Sequence, residues 1–332
     1  MHETNLIAPR SETTRPFWSV MIPVYNRTAY LERTLRSVLI QDPGPEEMQI
    51  EVVDDESDQE SPQAIVEKAA GDRVAVVRNS NNLGGAANWN QCIERARGHW
   101  VHILHSDDVV LPGFYEILRE GVEKESTVGA AFCRHNFIDE RDLILSTSDL
   151  ERSTSGILPD FLEQLALSCG MQCASTVVRR SVYENLGGFR TDVPYTLDWE
   201  MWLRIAASYA LWYEPSILAA FRVHSESWTR SFLRTGANVR GARLCIELTQ
   251  SLLPADHAHR ISEQAMEHVA LRAIHLASLA IHGRDAATAV AQLREALKCS
   301  RSPSVIRHLL GLLRRAPIMW MTADSHREVS ER

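Results

Sequence analysis

Three short β-rich runs constrain this chain more than any other feature. SVMIPV (19–24), IEVV (50–53) and WVHIL (100–104) each give way to polar or acidic residues, and helix-period segments follow them. After the first comes AYLERTLRSVLIQ, with Leu31, Leu35 and Val38/Leu39 recurring at helical spacing. After the second comes SPQAIVEKAA, with proline in its first turn, then a further strand, RVAVVR, and the helix AANWNQCIERARG. After the third comes LPGFYEILREGVE. Strand–helix alternation to about residue 125 predicts an α/β domain with a mainly parallel sheet. VMIPV and EVV suit strands covered on both faces.

Further strands are expected at VGAAFCRHNFI, CASTVVRR and ALWYEPSILAAFRVH, with the helix DWEMWLRIAASY between the last two. After about Ser231 the pattern becomes purely helical. ISEQAMEHVALRAIHLASLAIHG, DAATAVAQLREALKCS and SPSVIRHLLGLLRRAP are amphipathic stretches punctuated by Gly, Ser-Pro and Pro. The expected organisation is a polar, frayed 1–16, an α/β domain over 17–235 and an α-helical region over 236–332.

Charge and cysteine usage narrow the class. A net charge of −8 over 332 residues argues against a nucleic-acid binder, which would show a basic face. The charge is uneven: from Gly236 onward 13 Lys/Arg stand against 9 Asp/Glu, so the helical region is the basic part. Six scattered cysteines, with Cys169 and Cys173 alone close together, make a poor zinc signature and fit free thiols in a reducing compartment. MHETNLIAPRSETTRP carries no apolar core of a signal peptide, and no run of ~18 apolar residues offers a membrane span. The location expected from these features is cytoplasmic.

HWVHILHSDD (99–108) looks at first like a metal site of three histidines and two aspartates. Alternation along a strand sends His102 to the face opposite His105, and His99 lies at the strand's other end, roughly 20 Å from His105 at ~3.3 Å per residue. His99 and His102 therefore read as surface or packing residues. Asp107-Asp108 and Asp54-Asp55 instead both follow predicted strands, on the rim where open α/β sheets bind ligands. Each pair could merely shape a turn or cap the next helix. Two pairs on one rim, without thiolates, suit Mg2+ or Mn2+ bridging the phosphates of a nucleotide. No glycine-rich phosphate loop of the G-x-x-x-x-G-K-[ST] or G-x-G-x-x-G type is present.

SVMIPVYNRTAYLERTLRSVLIQ, IEVVDDESDQ, NNLGGAANWNQCIERARGHWVHILHSDDVVLPGFYE, GGFRTDVPYTLDWEMWLRIA and FRVHSES together resemble family 2 glycosyltransferases over roughly residues 17–228. The resemblance implies a GT-A fold and inverting transfer from a nucleotide-diphosphate sugar. It implies that Pro23, Tyr25 and Asn26 line the nucleotide pocket, that Asp54 and Asp55 hydrogen-bond base and ribose, and that Asn82, Gly84, Asn90, Ser106 and Asp107 belong to the nucleotide-sugar site. Ser106-Asp107-Asp108 takes the place of the DXD-type motif, with Asp108 and His224 toward a Mn2+ or Mg2+ and Asp198 as general base. Three positions depart from the family: Glu56 replaces a glycine, His105 the first acid of D-x-D-D, and Asn88-Trp89 an Ala-Arg pair. They put the donor in doubt. The Q-x-x-R-W block of processive synthases is missing, which favours transfer of a single sugar to a saccharide or lipid-linked glycan of a cell-surface polysaccharide or glycoconjugate.

Other readings stand beside these. Asp198 could simply cap its helix. Trp199 and Trp202 suit the core as well as a sugar face. Glu200 could reach the acceptor or lie on a solvated face. His224 could be a strand-end surface residue. A catalytically silent nucleotide-sugar-binding module is one alternative for the whole chain, and intact Asp108 and Asp198 argue against it. A sugar-phosphate nucleotidyltransferase is the other, and PVYNRTAY lacks its glycine-rich basic loop. The segment 303–320 carries apolar residues on one face and Arg307, His308, Arg314 and Arg315 on another. Such a helix can lie on an anionic membrane at the inner face, or pack on the catalytic domain or a second subunit as a homodimer.

Overall fold

A computed structural model of the protein describes residues 6–12, 14–193, 195–224 and 228–315. Contacts within the chain divide it into two units, 1–161 with 170–192 and 197–224, and 162–169 with 193–196 and 225–332.

The first unit is built as the alternation requires. In chain order its elements are β1 (Trp18–Val24), α1 (Leu31–Leu39), β2 (Met48–Asp54), α2 (Pro62–Ala70), β3 (Ala75–Arg78), α3 (Gly85–Arg95), β4 (Trp100–Ile103), β5 (Val109–Val110), α4 (Phe114–Lys124), β6 (Val128–Ile138), β7 (Ile144–Thr147), β8 (Gly156–Ile157), α5 (Phe161–Leu167), β9 (Thr176–Arg179), α6 (Arg180–Leu186), α7 (Leu197–Ser208) and β10 (Ala210–Arg222); most of α5 clusters with the second unit. One sheet runs β3-β2-β1-β4-β9-β6-β10-β5, with β7 on β6 and β8 on β10. β3, β2, β1 and β4 are parallel, β9 is antiparallel between β4 and β6, and β10 is parallel to β6.

Every residue of β1 and β2 is buried, as expected of parallel strands covered on both faces. Trp18, Val20, Ile22 and Val24 share a core with Leu31, Leu35 and Val38 of α1, Val66 of α2 and Phe114, Leu118 and Val122 of α4. The intervening position Ser19 is polar yet satisfied. Its hydroxyl donates to Gln49 Oε1 (2.7 Å) and accepts from Gly98 N (2.7 Å). Ser61 caps α2, accepting from Gln63 N at 3.3 Å, and Pro62 opens the helix where its missing N–H has no intrahelical partner to lose.

Residues 6–12 and 14–16 differ from the frayed stretch that polarity alone suggests, while 1–5 and 13 lie outside the described residues. Ile7 is buried, Arg10 donates to Glu94 O (2.7 Å), Arg15 to Arg97 O and Gly98 O, and Arg180 to Ala8 O (3.2 Å). Three guanidiniums and one isoleucine strap the segment down.

The second unit adds α8 (Trp228–Thr235), α9 (Ala237–Thr249), α10 (Ala258–His282), α11 (Ala286–Cys299) and α12 (303–315). α8, which lies ahead of the 235/236 boundary suggested by periodicity, belongs to it because it packs on α9 and α11. Ala270, Ala273 and Ala277 of α10 form its core with Ala289 and Ala296 of α11 and Val305 and Leu312 of α12. The small side chains let these helices approach closely. Asn238 and Gln292 exchange amide hydrogen bonds inside it, at 2.7 and 3.3 Å. Asp285 caps α11 through Thr288 N at 3.0 Å.

Gly98 sets how closely the turn before β4 approaches β1. A Cβ there would lie 2.6 Å from both Ser19 N and the Trp18 carbonyl carbon, which are backbone atoms with nowhere to go. Gly98→Ala is expected to destabilise the first unit by about 1–3 kcal/mol, read as a lower urea midpoint at unchanged far-UV signal.

Candidate active site

The carboxyl ends of β1, β2, β3 and β4 form one rim, and a proline opens it. β1 pairs with β2 along its whole length, Trp18↔Met48 to Val24↔Asp54. Its pairing with β4 stops at Met21↔Ile103, with Leu104 N donating to Met21 O at 3.0 Å. Pro23 lacks the N–H that would next point toward β4, so the ladder cannot continue there. The strands splay at the switch point of the sheet, and loops from both sides of the gap carry the acids.

On the β2 side both aspartates are buried and engaged. Asp54 accepts from Ser57 N (3.0 Å) and Ser57 Oγ (2.5 Å) and pairs with Arg78 at 2.8 Å. Asp55 accepts from Asn79 Nδ2 (2.8 Å), Leu83 N (2.9 Å) and Gly84 N (2.9 Å), so it gathers the free N–H groups at the start of α3. Asn82 closes the same loop, giving its amide to Asp55 O (3.1 Å) and accepting from Gly84 N (3.1 Å). Gly84, at φ +82, has nothing within 4 Å of where a Cβ would stand, leaving open space beside the loop. Asn26, at φ +52, accepts from Asp58 N (2.8 Å) and Gln59 N (3.1 Å), while the Tyr25 ring beside it is exposed. Glu56, where the family carries glycine, has φ +64. The backbone there keeps the left-handed conformation glycine serves, and Glu56 offsets its strain by accepting from Asn82 N at 2.7 Å.

On the β4 side the turn Leu104–Asp108 is held from three directions. The Thr34 hydroxyl on α1 lies 2.9 Å from Ser106 O and 2.8 Å from Asp108 O. Ser106 donates to Arg27 O at 3.1 Å. The Arg222 N–H gives 2.8 Å to Asp108 Oδ1, and its guanidinium reaches Asp107 O, Asp139 O (both 2.8 Å) and Asp142 (2.7 Å). That guanidinium is buried and lies 4.5 Å from the centre of the Tyr30 ring. His224 Nε2 meets Asp107 Oδ2 at 2.9 Å.

What remains uncommitted is informative. Asp108 is fully buried, yet its Oδ2 accepts no hydrogen bond and lies 3.4 Å from His105 Nδ1. His105, Asp107 and Asp108 present ligand atoms within 4.8 Å of one another. Burial pushes the Asp108 carboxyl up to about 6, and the contact with His105 offsets this only in part. Burial opposes charge on His105, but the contacts with the Asp108 carboxyl and the Cys173 thiol outweigh it and hold the imidazole well above its usual range. Burial also works on Asp107, and there the His224 hydrogen bond prevails and lowers the pKa. Two carboxylates and one imidazole, with Asp108 Oδ2 free of hydrogen bonds, fit a divalent cation of the Mg2+ or Mn2+ type.

Asp198 stands in the first turn of α7, half-buried, with Trp199 N donating 2.8 Å to its Oδ1. Burial raises its pKa, and the nearby positive charge of His105 offsets part of the rise. Its neighbours do not face an acceptor. Trp199 and Trp202 are core residues, and Glu200 is buried against Arg204 at 2.9 and 3.0 Å. Asn90 is also inward: it accepts from Phe189 N (2.7 Å) and donates to Phe189 O (2.9 Å), so it ties α3 to the GGF loop. His102 is buried between Tyr115 OH (3.1 Å) and Ala174 O (3.2 Å), stacked on Phe114, and burial lowers its pKa to about 3. It is a packing residue, and His99 is exposed.

Sequence reasoning missed His105 as a candidate ligand, treating it as the lost acid of a motif. It also missed Arg222 and Thr34, which carry no ligand chemistry of their own and show their importance only through what they hold. The Ser225–Ser227 end of FRVHSES lies outside the described residues.

This geometry can now be set against known proteins. The sequence profile named "Glycosyl transferase family 2" matches residues 19–187. The chain therefore belongs to glycosyltransferase family 2 and is a glycosyltransferase. "Uncharacterized protein MT1568" of Mycobacterium tuberculosis is 32% identical over 68% of this chain and 73% of its own. The succinoglycan biosynthesis protein ExoO of Rhizobium meliloti is 31% identical over 46% of this chain, which spans 43% of ExoO. Among solved structures, S. aureus TarS 1–349 in complex with UDP-GlcNAc superposes with a TM-score of 0.62 at 16% identity, over 94% of this chain and 91% of that one. A longer S. aureus TarS chain is spanned over 53% of its length. The mannosyltransferase PcManGT from Pyrobaculum calidifontis, in complex with GDP-Man and Mn2+, gives 0.58 at 18% identity, over 96% and 86%. At these identities the structures establish the GT-A fold.

Thr34 is the simplest handle on the turn. Thr34→Val keeps the shape but leaves the buried Ser106 and Asp108 carbonyls without their hydroxyl. A loss of about 1–3 kcal/mol in stability is expected, measured by urea unfolding.

Proposed function

We propose that the protein transfers a single sugar, with inversion, from a nucleotide-diphosphate donor to a hydroxyl of a saccharide or lipid-linked glycan. The setting is the synthesis of a cell-surface polysaccharide or glycoconjugate at the cytoplasmic side. The observation that carries this reading is the His105–Asp107–Asp108 group, with the buried Oδ2 of Asp108 free of hydrogen bonds, on the rim that also bears Asp54 and Asp55. UDP-GlcNAc on TarS and GDP-Man with Mn2+ on PcManGT support a nucleotide-sugar donor and a divalent cation. ExoO, named for succinoglycan biosynthesis, supports the polysaccharide setting. Among the described residues no helix is long and apolar enough to cross a membrane.

Asp108, with Asp107 and His105, would hold Mn2+ or Mg2+, and His224 orients Asp107. When bound, the cation neutralises charge that develops on the leaving diphosphate. Pro23, Tyr25, Asn26 and the 82–84 loop form the walls of the nucleotide pocket. Asp54 and Asp55 already spend lone pairs on the protein and offer the remaining ones to base or ribose. Asp198 accepts the proton of the acceptor hydroxyl as the new bond forms at the anomeric carbon and the bond to the diphosphate breaks on the opposite face. Its raised pKa makes it a better proton acceptor than an ordinary carboxylate.

Two measurements test this. Asp198→Asn is expected to lower kcat by about 10²–10⁴-fold while leaving the donor's Kd unchanged. In the wild type, activity requires ionised Asp198, so it should fall on acidification with a midpoint above the ordinary carboxylate range. Retained turnover in the asparagine variant would remove Asp198 from the base role. Separately, one nucleotide among UDP, GDP, CDP and dTDP, or its sugar, should raise the thermal midpoint only with Mn2+ or Mg2+. The stabilisation expected is a few kcal/mol, on the order of 3 at about 100-fold saturation, and Asp108→Ala should abolish its metal-dependent part. No shift with any nucleotide would overturn the donor class.

A further inference from the structure

The helical region carries one surface that the transfer chemistry leaves unused. α12 has two apolar edges. Val305, Leu309 and Leu312 turn into the core of the second unit. Ile306, Leu310 and Leu313 form a second row at i, i+4 and i+7, and are 36%, 48% and 52% exposed. At 100° per residue, Arg307 and Arg314 stand immediately beside that row, and both are exposed, as are Arg301 and Arg315.

The charge around the row is of one sign. No acid occurs between Glu295 and Asp324, whereas Lys298, Arg301, Arg307, Arg314 and Arg315 all fall in that interval, in a chain whose net charge is −8. The sequence past α12 continues Pro317-Ile-Met-Trp-Met321, outside the described residues. We propose that this face of α12 docks on an anionic lipid surface, with Ile306, Leu310 and Leu313 entering the headgroup boundary and Arg307 and Arg314 meeting lipid phosphates.

Charge complementarity selects that occupant. An apolar row bordered by arginines is the pattern of a helix lying in a membrane interface, where the aliphatic stems of the arginines stay with the apolar layer and their heads reach the phosphates. A second copy of the chain fits poorly. An isologous pairing of this row would set Arg307 and Arg314 of one copy against the same residues of the other. The proposal concerns where the enzyme sits and does not depend on the reading of its reaction.

The test is co-sedimentation of the full chain with vesicles of phosphatidylcholine alone and of phosphatidylcholine with phosphatidylglycerol. Binding to the anionic vesicles alone is expected, weakening as salt is raised. At roughly fivefold per arginine, Arg307→Gln/Arg314→Gln should reduce it by on the order of 25-fold. Ile306→Ser/Leu310→Ser/Leu313→Ser should abolish it, and Arg272→Gln on α10, an exposed arginine away from the row, should leave it unchanged. All substituted positions are solvent-facing, so an unaltered thermal midpoint and unaltered nucleotide-induced stabilisation verify that each variant is folded. No binding to anionic vesicles, or binding that survives both the glutamine and the serine variants, overturns the proposal. So does light scattering that finds a dimer in the wild type which the serine variant dissolves, because the row then belongs to a second copy.

Discussion

The splaying of β1 from β4 creates the site, and it follows from one missing N–H. A parallel pair buried on both faces gains from every ladder bond, so strands end their pairing only where something prevents it. Here Leu104 N to Met21 O is the last bond, and Pro23 cannot donate the next. On its other side β1 stays paired to β2 up to Val24↔Asp54, and Asp55 N still donates to Val24 O at 2.8 Å. The result is a wedge with one edge fixed and one open. The loops carrying Asp54-Asp55 and Asp107-Asp108 diverge around it, and the rest of the site consists of ways to tolerate four carboxylates in that wedge.

Each acid is handled differently. Asp54 is neutralised by Arg78 and a serine, and Asp55 by backbone N–H groups at the head of α3. Asp107 has an imidazole. Asp108 has one oxygen on a backbone N–H and the other facing His105 with no hydrogen bond, at a position where burial alone disfavours its charge. Leaving a fully buried carboxylate oxygen without a hydrogen bond is unfavourable, and such atoms concentrate at ligand sites. The gradient runs from fully satisfied acids on the β2 side to an unsatisfied one beside β4. That places nucleotide recognition on the rigid half of the wedge and charge neutralisation on the half with spare coordination. The long buried Arg222 links this half to the β6–β7 turn through Asp139 O and Asp142, so one residue ties that turn to the metal-type acids, its backbone N–H on Asp108 and its guanidinium on Asp107 O.

Much of this was legible in the residues. Apolar runs ending in acids mark the parallel strands and their carboxyl rim, and alternation along WVHIL separates His102 from His105 in the sequence itself. Short or polar elements were not legible. β5, β7 and β8 contain two to four residues with no periodicity to detect, and Leu143-Ile144-Leu145 of the β6–β7 hairpin are exposed apolar residues of the kind that pattern reading sends to the core. The straps on residues 6–16 were invisible because they are arginine side chains meeting backbone carbonyls, which leave no mark on hydropathy. The same holds for Asn90, whose amide looks like a ligand contact in sequence and is spent on the Phe189 backbone in three dimensions.

The departures from the family pattern are the deepest case, because they appear independent in sequence and are not. The Trp89 ring lies 4.7 Å from the His105 ring, tilted 32°, and its other side meets Phe189 edge-on at 5.1 Å. The two changes, Trp for Arg in α3 and His for Asp after β4, are therefore one contact. An arginine at 89 would have set a fixed positive charge against the raised, proton-binding imidazole of His105, and an aspartate at 105 would have set a third carboxylate beside Asp107 and Asp108 with no cation of the protein near it. Either change alone leaves a charge conflict, whereas together they give a tilted aromatic–imidazole contact. Asn88 and Asn90 on either side of Trp89 fix that ring's height, one through Asn79 Nδ2 and Val53 O, the other through Phe189. N-W-N and H-S-D-D are thus a single packing unit, and it bears on the electrostatics of Asp108 more directly than any substitution elsewhere in the wedge.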